Sequence, residues 1–246
     1  MTSSLDRRVH AVLLDIEGTT TPIDFVFKVL FPYARSHAER FLQRHGSSPD
    51  VLEDLSGLRC EHSQDTSQGF SPPALKNPNE PGAFVPYIDW LIERDRKSTP
   101  LKSLQGKIWA EGYAGAELHS QVFDDVPPAL TRWRAQNRTL AIFSSGSVLA
   151  QRLLFAHTTA GDLTNFLSAY FDTTIGTKTD PASYTQIARK LECLPTKIVF
   201  ISDVVSELNG AQAAGFYVLL CKRPGNYPQP ENAYSTIQTF DDVLPD

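Results

Sequence analysis

The sequence has few cysteines, no long apolar run and no excess of basic charge, and each shortage removes a class of protein. Only three cysteines occur in 246 residues, Cys60, Cys193 and Cys221, odd in number, widely spaced and without a CxxC pair. Neither a disulfide framework nor a zinc site is proposed from them, and reduced, mostly buried thiols are expected. The longest apolar stretches, such as Ala11 to Leu14, Ile198 to Ile201 and Tyr217 to Cys221, fall far short of the ~20 residues that a membrane helix needs. No membrane association is expected. After Met1 the chain reads TSSLDRRVHAVLLD, whose apolar run is too short for a secretory leader, so an intracellular protein is expected. Lysine and arginine number 23 against 28 acids, a formal net charge of −5, which argues against nucleic acid held by bulk charge. No internal repeat is visible, and the six histidines, including His37 and His119, show no ligand spacing.

What remains is the composition of a globular chain with enough apolar residues, 41%, to bury a core in one or two domains. Short runs of apolar and β-branched residues end in a polar residue and are followed by helix-compatible stretches, the pattern of buried parallel strands. Val12 to Leu14 runs into Asp15, Leu140 to Phe143 into Ser144, Ile198 to Ile201 into Ser202 and Asp203, and Tyr217 to Leu220 precedes Cys221. Helices are expected over 128–136, 148–157, 181–191 and 205–214, with Pro181 in a first turn and Gly215 past an end. The fold class that follows is α/β, a doubly wound parallel sheet.

Strand one and the next clear strand lie about 125 residues apart, far more than one crossover helix requires. The inserted stretch reads as helical: Phe25, Val26, Val29, Leu30, Tyr33 and Ala34 follow a helical period, as do Phe84, Tyr87, Ile88, Leu91 and Ile92. Between them, residues 67–82 carry four prolines in sixteen positions, which forbids a continuous helix there. The expected organisation is a core of residues 1–22 and 124–246 around a helical domain of residues 23–123.

Ligands of open parallel sheets bind beyond the carboxyl ends of the strands. Those ends supply Asp15 and Glu17 in DIEGTT, Ser144 and Ser145 in FSSGS, and Asp203 with Glu207 in ISDVVSE, while Lys178 follows in IGTKTD. Taken singly, an Asp or Ser after a strand is most often a helix cap. Taken together, four acids opposed by one lysine leave a surplus of about three negative charges, and like charges ~4 Å apart repel by about 4 kcal/mol at an effective dielectric of ~20. A hard divalent cation relieves that repulsion. All-oxygen donors without clustered His or Cys favour Mg²⁺, which commonly bridges carboxylates to a phosphate. The serine hydroxyls, the amides at the following helix start and the Lys178 ammonium are donors suited to phosphate oxygens.

These four strand-end motifs, in this order, resemble the haloacid dehalogenase superfamily. The string DIEGTTTPIDFVFKVLFPYA, the pair Ser144 and Ser145, and the stretch from Ile108 and Trp109 to Glu117 and Leu118 resemble, over nearly the whole chain, its enolase-phosphatase (acireductone synthase) family of methionine salvage. Two positions depart from the pattern: Glu17 stands where the superfamily usually has a second Asp, and Ala116 separates Gly115 from Glu117. The resemblance implies a haloacid dehalogenase-like core with an inserted helical cap, and an Mg²⁺-dependent enzyme. That enzyme would enolise 2,3-diketo-5-methylthiopentyl 1-phosphate and then release phosphate through an aspartyl-phosphate. By the same similarity, Asp15 is the nucleophile and Glu17 an acid/base or metal-shell carboxyl. Asp15, Glu17 and Asp203 hold the metal, Ser144, Ser145 and Lys178 bind the substrate phosphate, and Glu207 stands behind them. Phe25, Phe31, Trp109 and Tyr113 are candidates for the wall around the thioether, with core packing as their commoner use. A monomer in the cytoplasm, with the nucleus as a second compartment, is also implied.

Two rival functions share this chemistry. A phosphatase of the same superfamily acting on another small metabolite, such as a phosphosugar, would use the same residues. A signalling receiver domain also gathers acids, a Ser/Thr and a Lys around Mg²⁺, but takes its phosphoryl group after the third strand, whereas Asp15 closes the first.

Overall fold

A computed structural model of the chain describes residues 8–245. The stretch read for a leader lies in part outside the described residues. The chain forms two compact units, one running up to Val26 and resuming at His119, the other being Phe27–Leu118.

The first unit is built on a parallel sheet of β1 (Ala11–Leu14), β2 (Thr139–Phe143), β3 (Ala169–Phe171), β4 (Ile198–Ser202), β5 (Tyr217–Cys221) and β6 (Thr236–Ile237). Its order is β3-β2-β1-β4-β5-β6. The central strands β1 and β4 are buried along their whole length, as expected where both faces of a parallel sheet are covered. Phe143, Tyr184, Phe200 and Leu208 lie in the core on one side, with rings of Phe143 and Tyr184 meeting edge to face at 5.5 Å. Two strands escape the sequence pattern. β3 and β6 have three and two residues, and at the sheet's edges each needs an apolar match on one side only.

The second unit is helical, with α1 (Phe31–His45), α2 (Pro49–Ser67), α3 (Val85–Glu93) and α4 (Thr99–Ala114). The proline-rich stretch falls between α2 and α3, and helix α2 persists to Ser67 before it. Leu42, Leu58, Tyr87, Leu91 and Leu104 are buried here, and the Trp109 indole donates to the Leu30 carbonyl at 2.8 Å. Val29 departs from the expected buried face and is 36% exposed. Residues Val26–Leu30 wind as a π-helix, whose wider turn shifts the phase of every side chain it carries. Phe25, Trp109 and Tyr113 are buried, in keeping with core packing as their commoner use.

Back in the first unit, α5 (Val126–Ala135), α6 (Val148–Ala156), α7 (Pro181–Lys190) and α8 (Val205–Ala213) connect the strands within two residues of the expected limits. The cysteines are free, but only Cys221 is buried; Cys193 is partly exposed and Cys60 exposed. Cys60 sits on the outward side of α2, where nothing requires an apolar thiol. Among the described residues, no helix is long and apolar enough to cross a membrane.

Candidate active site

Sheet register assembles the site. Leu14 pairs with Ile142 on one side and Ile201 on the other, so the residues that follow each strand emerge together at the carboxyl edge. β1 and β4 flank the point where the strand order reverses, the usual crevice of such sheets. Asp15 follows β1 and is 4% exposed; its amide donates to the Ile201 carbonyl at 3.0 Å. Its Oδ1 lies 2.5 Å from Lys178 Nζ, and its Oδ2 accepts from Ser202 Oγ at 3.3 Å. Lys178 also pairs with Glu207 Oε2 at 2.7 Å, and Ser202 Oγ donates to that same oxygen at 2.9 Å as an alternative. Four side chains from three distant stretches thus form one closed group.

The electrostatics are unbalanced. Asp203, after β4, is buried and forms no ion pair among the described residues, so Asp15, Asp203 and Glu207 share the single ammonium of Lys178. Burial first, then the neighbouring charges of Asp15 and Glu207, push the Asp203 carboxyl up to about 8. Burial and Asp15 likewise raise Glu207, against the pull of Lys178, to about 7. Burial alone would lower the Lys178 ammonium, but Asp15 and Glu207 outweigh it and hold it above its ordinary value.

Close backbone packing holds Lys178 in reach. Tyr184 on α7, fully buried, sets its hydroxyl 2.6 Å from the Lys178 carbonyl and 3.1 Å from that of Glu207. A Cβ at Gly210 on α8 would stand 2.8 Å from the Thr179 carbonyl oxygen, so only glycine lets that helix touch the lysine loop. Beyond β2, the Ser144 hydroxyl accepts from the Gly146 amide at 3.2 Å, while Gln151 donates to the carbonyls of Gly146 and Phe171 at 2.8 and 2.9 Å. Ser147 caps α6 through the Ala150 amide, which aims a helix N-terminus along the same edge.

Asp15, Lys178 and Glu207 are therefore in contact, with Asp203 close enough to feel the first and last. Ser144, buried, and Ser145, partly exposed, stand at the end of the adjacent strand, but neither hydroxyl joins that hydrogen-bonded group. Glu17 lies in the turn after β1, its backbone bridged to Thr21. Among the described residues, no set of three or more His, Cys, Asp or Glu is gathered as a metal cage. The candidate residues read from the strand ends do not include Ser202, which reads only as the polar end of a run, nor Gln151, Tyr184, Arg223 and Asn226. Arg223 pairs with Asp125 at 2.7 Å and reaches the Thr19 carbonyl at 3.3 Å; Asn226 donates to the Gly18 carbonyl at 2.9 Å. Both brace the turn that carries Asp15 and Glu17. A cleft of about 670 Å³ opens beside them, lined by Asp203, Arg223, Asn226 and Gln229.

Known proteins similar to this chain show its family. Residues 9–215 match the haloacid dehalogenase-like hydrolase family. Enolase-phosphatase E1 of Synechococcus elongatus is 50% identical over 239 residues, covering 96% of this chain and 98% of that protein. Enolase-phosphatase E1 of Drosophila melanogaster is 41% identical over 245 residues, 99% of this chain and 94% of its own. Among solved structures, the UTR4 protein of Saccharomyces cerevisiae superposes with a TM-score of 0.74 at 31% identity, covering 95% of this chain and 99% of that one.

Proposed function

The chain belongs to the haloacid dehalogenase-like hydrolases and, within them, to the enolase-phosphatase E1 family, and from that premise we propose that it converts 2,3-diketo-5-methylthiopentyl 1-phosphate into acireductone and phosphate in methionine salvage. The observation that carries the reading is the buried Asp15 carboxylate, held at 2.5 Å by Lys178 at the mouth of the sheet.

Asp15 attacks phosphorus, breaking the ester bond and leaving an aspartyl-phosphate that water then hydrolyses. Lys178 orients Asp15 and offsets charge on the transferring group, and Glu207 holds Lys178 from behind. Ser144, Ser145 and the α6 amides receive the phosphate oxygens, with Gly146 allowing close backbone approach. Glu17 adds a carboxyl at the nucleophile turn, suited to proton transfer at the leaving oxygen.

Mg²⁺ fits the residues present. The donors are oxygens, the Asp203 carboxyl has no cation of its own, and the buried Asn226 Oδ1 has no hydrogen-bond partner. Asp15 and Asp203 would hold the ion, with Glu17 as a third candidate. When bound, it would lower the barrier to phosphoryl transfer by neutralising charge and would acidify the C–H beside the diketone.

Steady-state turnover of the diketo phosphate and of a phosphosugar panel, with and without Mg²⁺, tests the reading. Formation of a new ultraviolet-absorbing enediol of the acireductone mass is expected; phosphate release from the sugars alone would overturn it.

A further inference from the structure

Asn226 sits in the turn RPGNYP after β5, a stretch with no obvious chemistry in sequence. Its amide nitrogen lies 2.9 Å from the Gly18 carbonyl and 3.2 Å from that of Cys221, and these two acceptors fix which end of the amide faces them. The other end, Oδ1, is therefore held with its lone pairs directed away, buried and unpartnered. A buried acceptor left unpaired costs about 1–3 kcal/mol, so a position this firmly fixed calls for a donor.

Gly18 shows where that donor must lie. It adopts φ +70, and a Cβ there would stand 2.5 Å from Asp203 Oδ2 and 2.8 Å from Asn226 Oδ1. The two oxygens thus lean on one face of the same glycine, acceptor beside acceptor. Neither an anion nor an apolar group satisfies such a pair, whereas a water bound to a cation does, because it donates outward while the cation meets the carboxylate.

We propose that Asn226 is a positioning residue for the metal: its nitrogen ties the Asp15 turn to the end of β5, and its Oδ1 accepts a hydrogen bond from a water of the Mg²⁺ shell held by Asp203. This rests on the reading that Asp15 and Asp203 bind Mg²⁺. A substrate contact is not involved, and the side chain touches no reacting atom.

Calorimetric titration of Mg²⁺ into the substrate-free protein tests it without turnover. Asn226→Ala, which removes both ends of the amide, is expected to weaken Mg²⁺ at least about 10-fold, the loss typical of an outer-shell partner. Asn226→Asp, which sets a carboxylate oxygen against the Gly18 and Cys221 carbonyls but keeps an acceptor on the Oδ1 side, is expected to bind more tightly than Asn226→Ala. Equal weakening in both variants would reduce Asn226 to a backbone clamp and overturn the proposal. Unchanged affinity in Asn226→Ala would overturn it too, leaving a protonated Asp203 as the donor. Should Asn226→Ala fail to fold, Asn226→Ser takes its place: Mg²⁺ affinity weakened about 10-fold or more supports the role and wild-type affinity ends it. A wild-type protein that binds no Mg²⁺ removes the metal reading itself, whereas tight wild-type binding with an indifferent Asn226→Ala removes only this inference.

Discussion

Both units bury charge, but they balance it differently. In the helical unit each buried acid has its own cation: Asp65 accepts from Arg96 at 2.5 Å and from the Tyr87 hydroxyl at 2.8 Å, and Asp54 accepts from Lys107 at 2.5 Å. At the sheet edge of the other unit, Asp15, Asp203 and Glu207 divide one lysine. The same unit also contains the matched case: Asp125, with Arg223 and the Phe240 amide beside it, overcomes its burial and lies below the ordinary carboxylate range, while Asp203 rises to about 8. Matched charges fasten a fold. Surplus charge is a cost that folding alone does not explain, and it is what the proposed cation would relieve.

The largest test of that contrast removes the proposed nucleophile. Asp15→Asn is expected to lower turnover by roughly 10⁴-fold or more while leaving the unfolding transition in place, read by steady-state rates and thermal melting. Lys178→Ala follows, with a loss of about 3 kcal/mol in transition-state stabilisation measured as kcat/KM. In the helical unit the effect should move from rate to stability: Asp54→Ala is expected to cost about 2 kcal/mol in denaturant unfolding by removing the nearest partner of Lys107, which keeps Asp50 and Ser103, with Mg²⁺ affinity unchanged. A loss of Mg²⁺ affinity in Asp54→Ala would blur the distinction between the two units.

The pH dependence has a definite sign. Folding raises the carboxyls of Asp203 and Glu207 from 3.8 and 4.5 to about 8 and about 7, so the folded state binds more protons than the unfolded chain across that window. Metal-free protein should therefore lose stability as pH rises from about 4 to about 8. Asp203→Asn should flatten much of this slope in thermal melts recorded without metal, and a slope that survives intact contradicts the surplus.

The smallest effect belongs to the end of α4. Ala116 there has φ +54, a left-handed conformation that strains an L side chain, while its neighbour Gly115 does not use that freedom. Ala116→Gly is expected to stabilise the protein by about 0.5 kcal/mol, read by denaturant unfolding, because relief of strain slightly exceeds the added flexibility of the unfolded chain.

Much of the fold and the centre of the site are legible in the sequence. Asp15, Ser144 and Asp203 announce themselves because each follows an apolar run, Asp203 one residue after Ser202, and the ends of parallel strands in one sheet share an edge. The residues that serve them do not. Ser202 looks like a strand terminus, Gln151 like a helix surface and Asn226 like turn filler; each acquires its role from a partner across the fold, 187 residues away for Ser202 with Asp15 and 208 for Asn226 with Gly18. Val29 escapes its expected face for a local reason, since a period of 3.6 cannot anticipate a π-turn. Edge strands β3 and β6 are too short to show a pattern at all.

The central assignment meets its most direct test in protein quenched with acid during turnover of the diketo phosphate, digested and analysed by mass. A phosphoryl group is expected on the peptide containing Asp15 when Mg²⁺ is supplied, and neither in chelated samples nor in Asp15→Asn. Sustained turnover with the phosphoryl group on another residue would contradict the account.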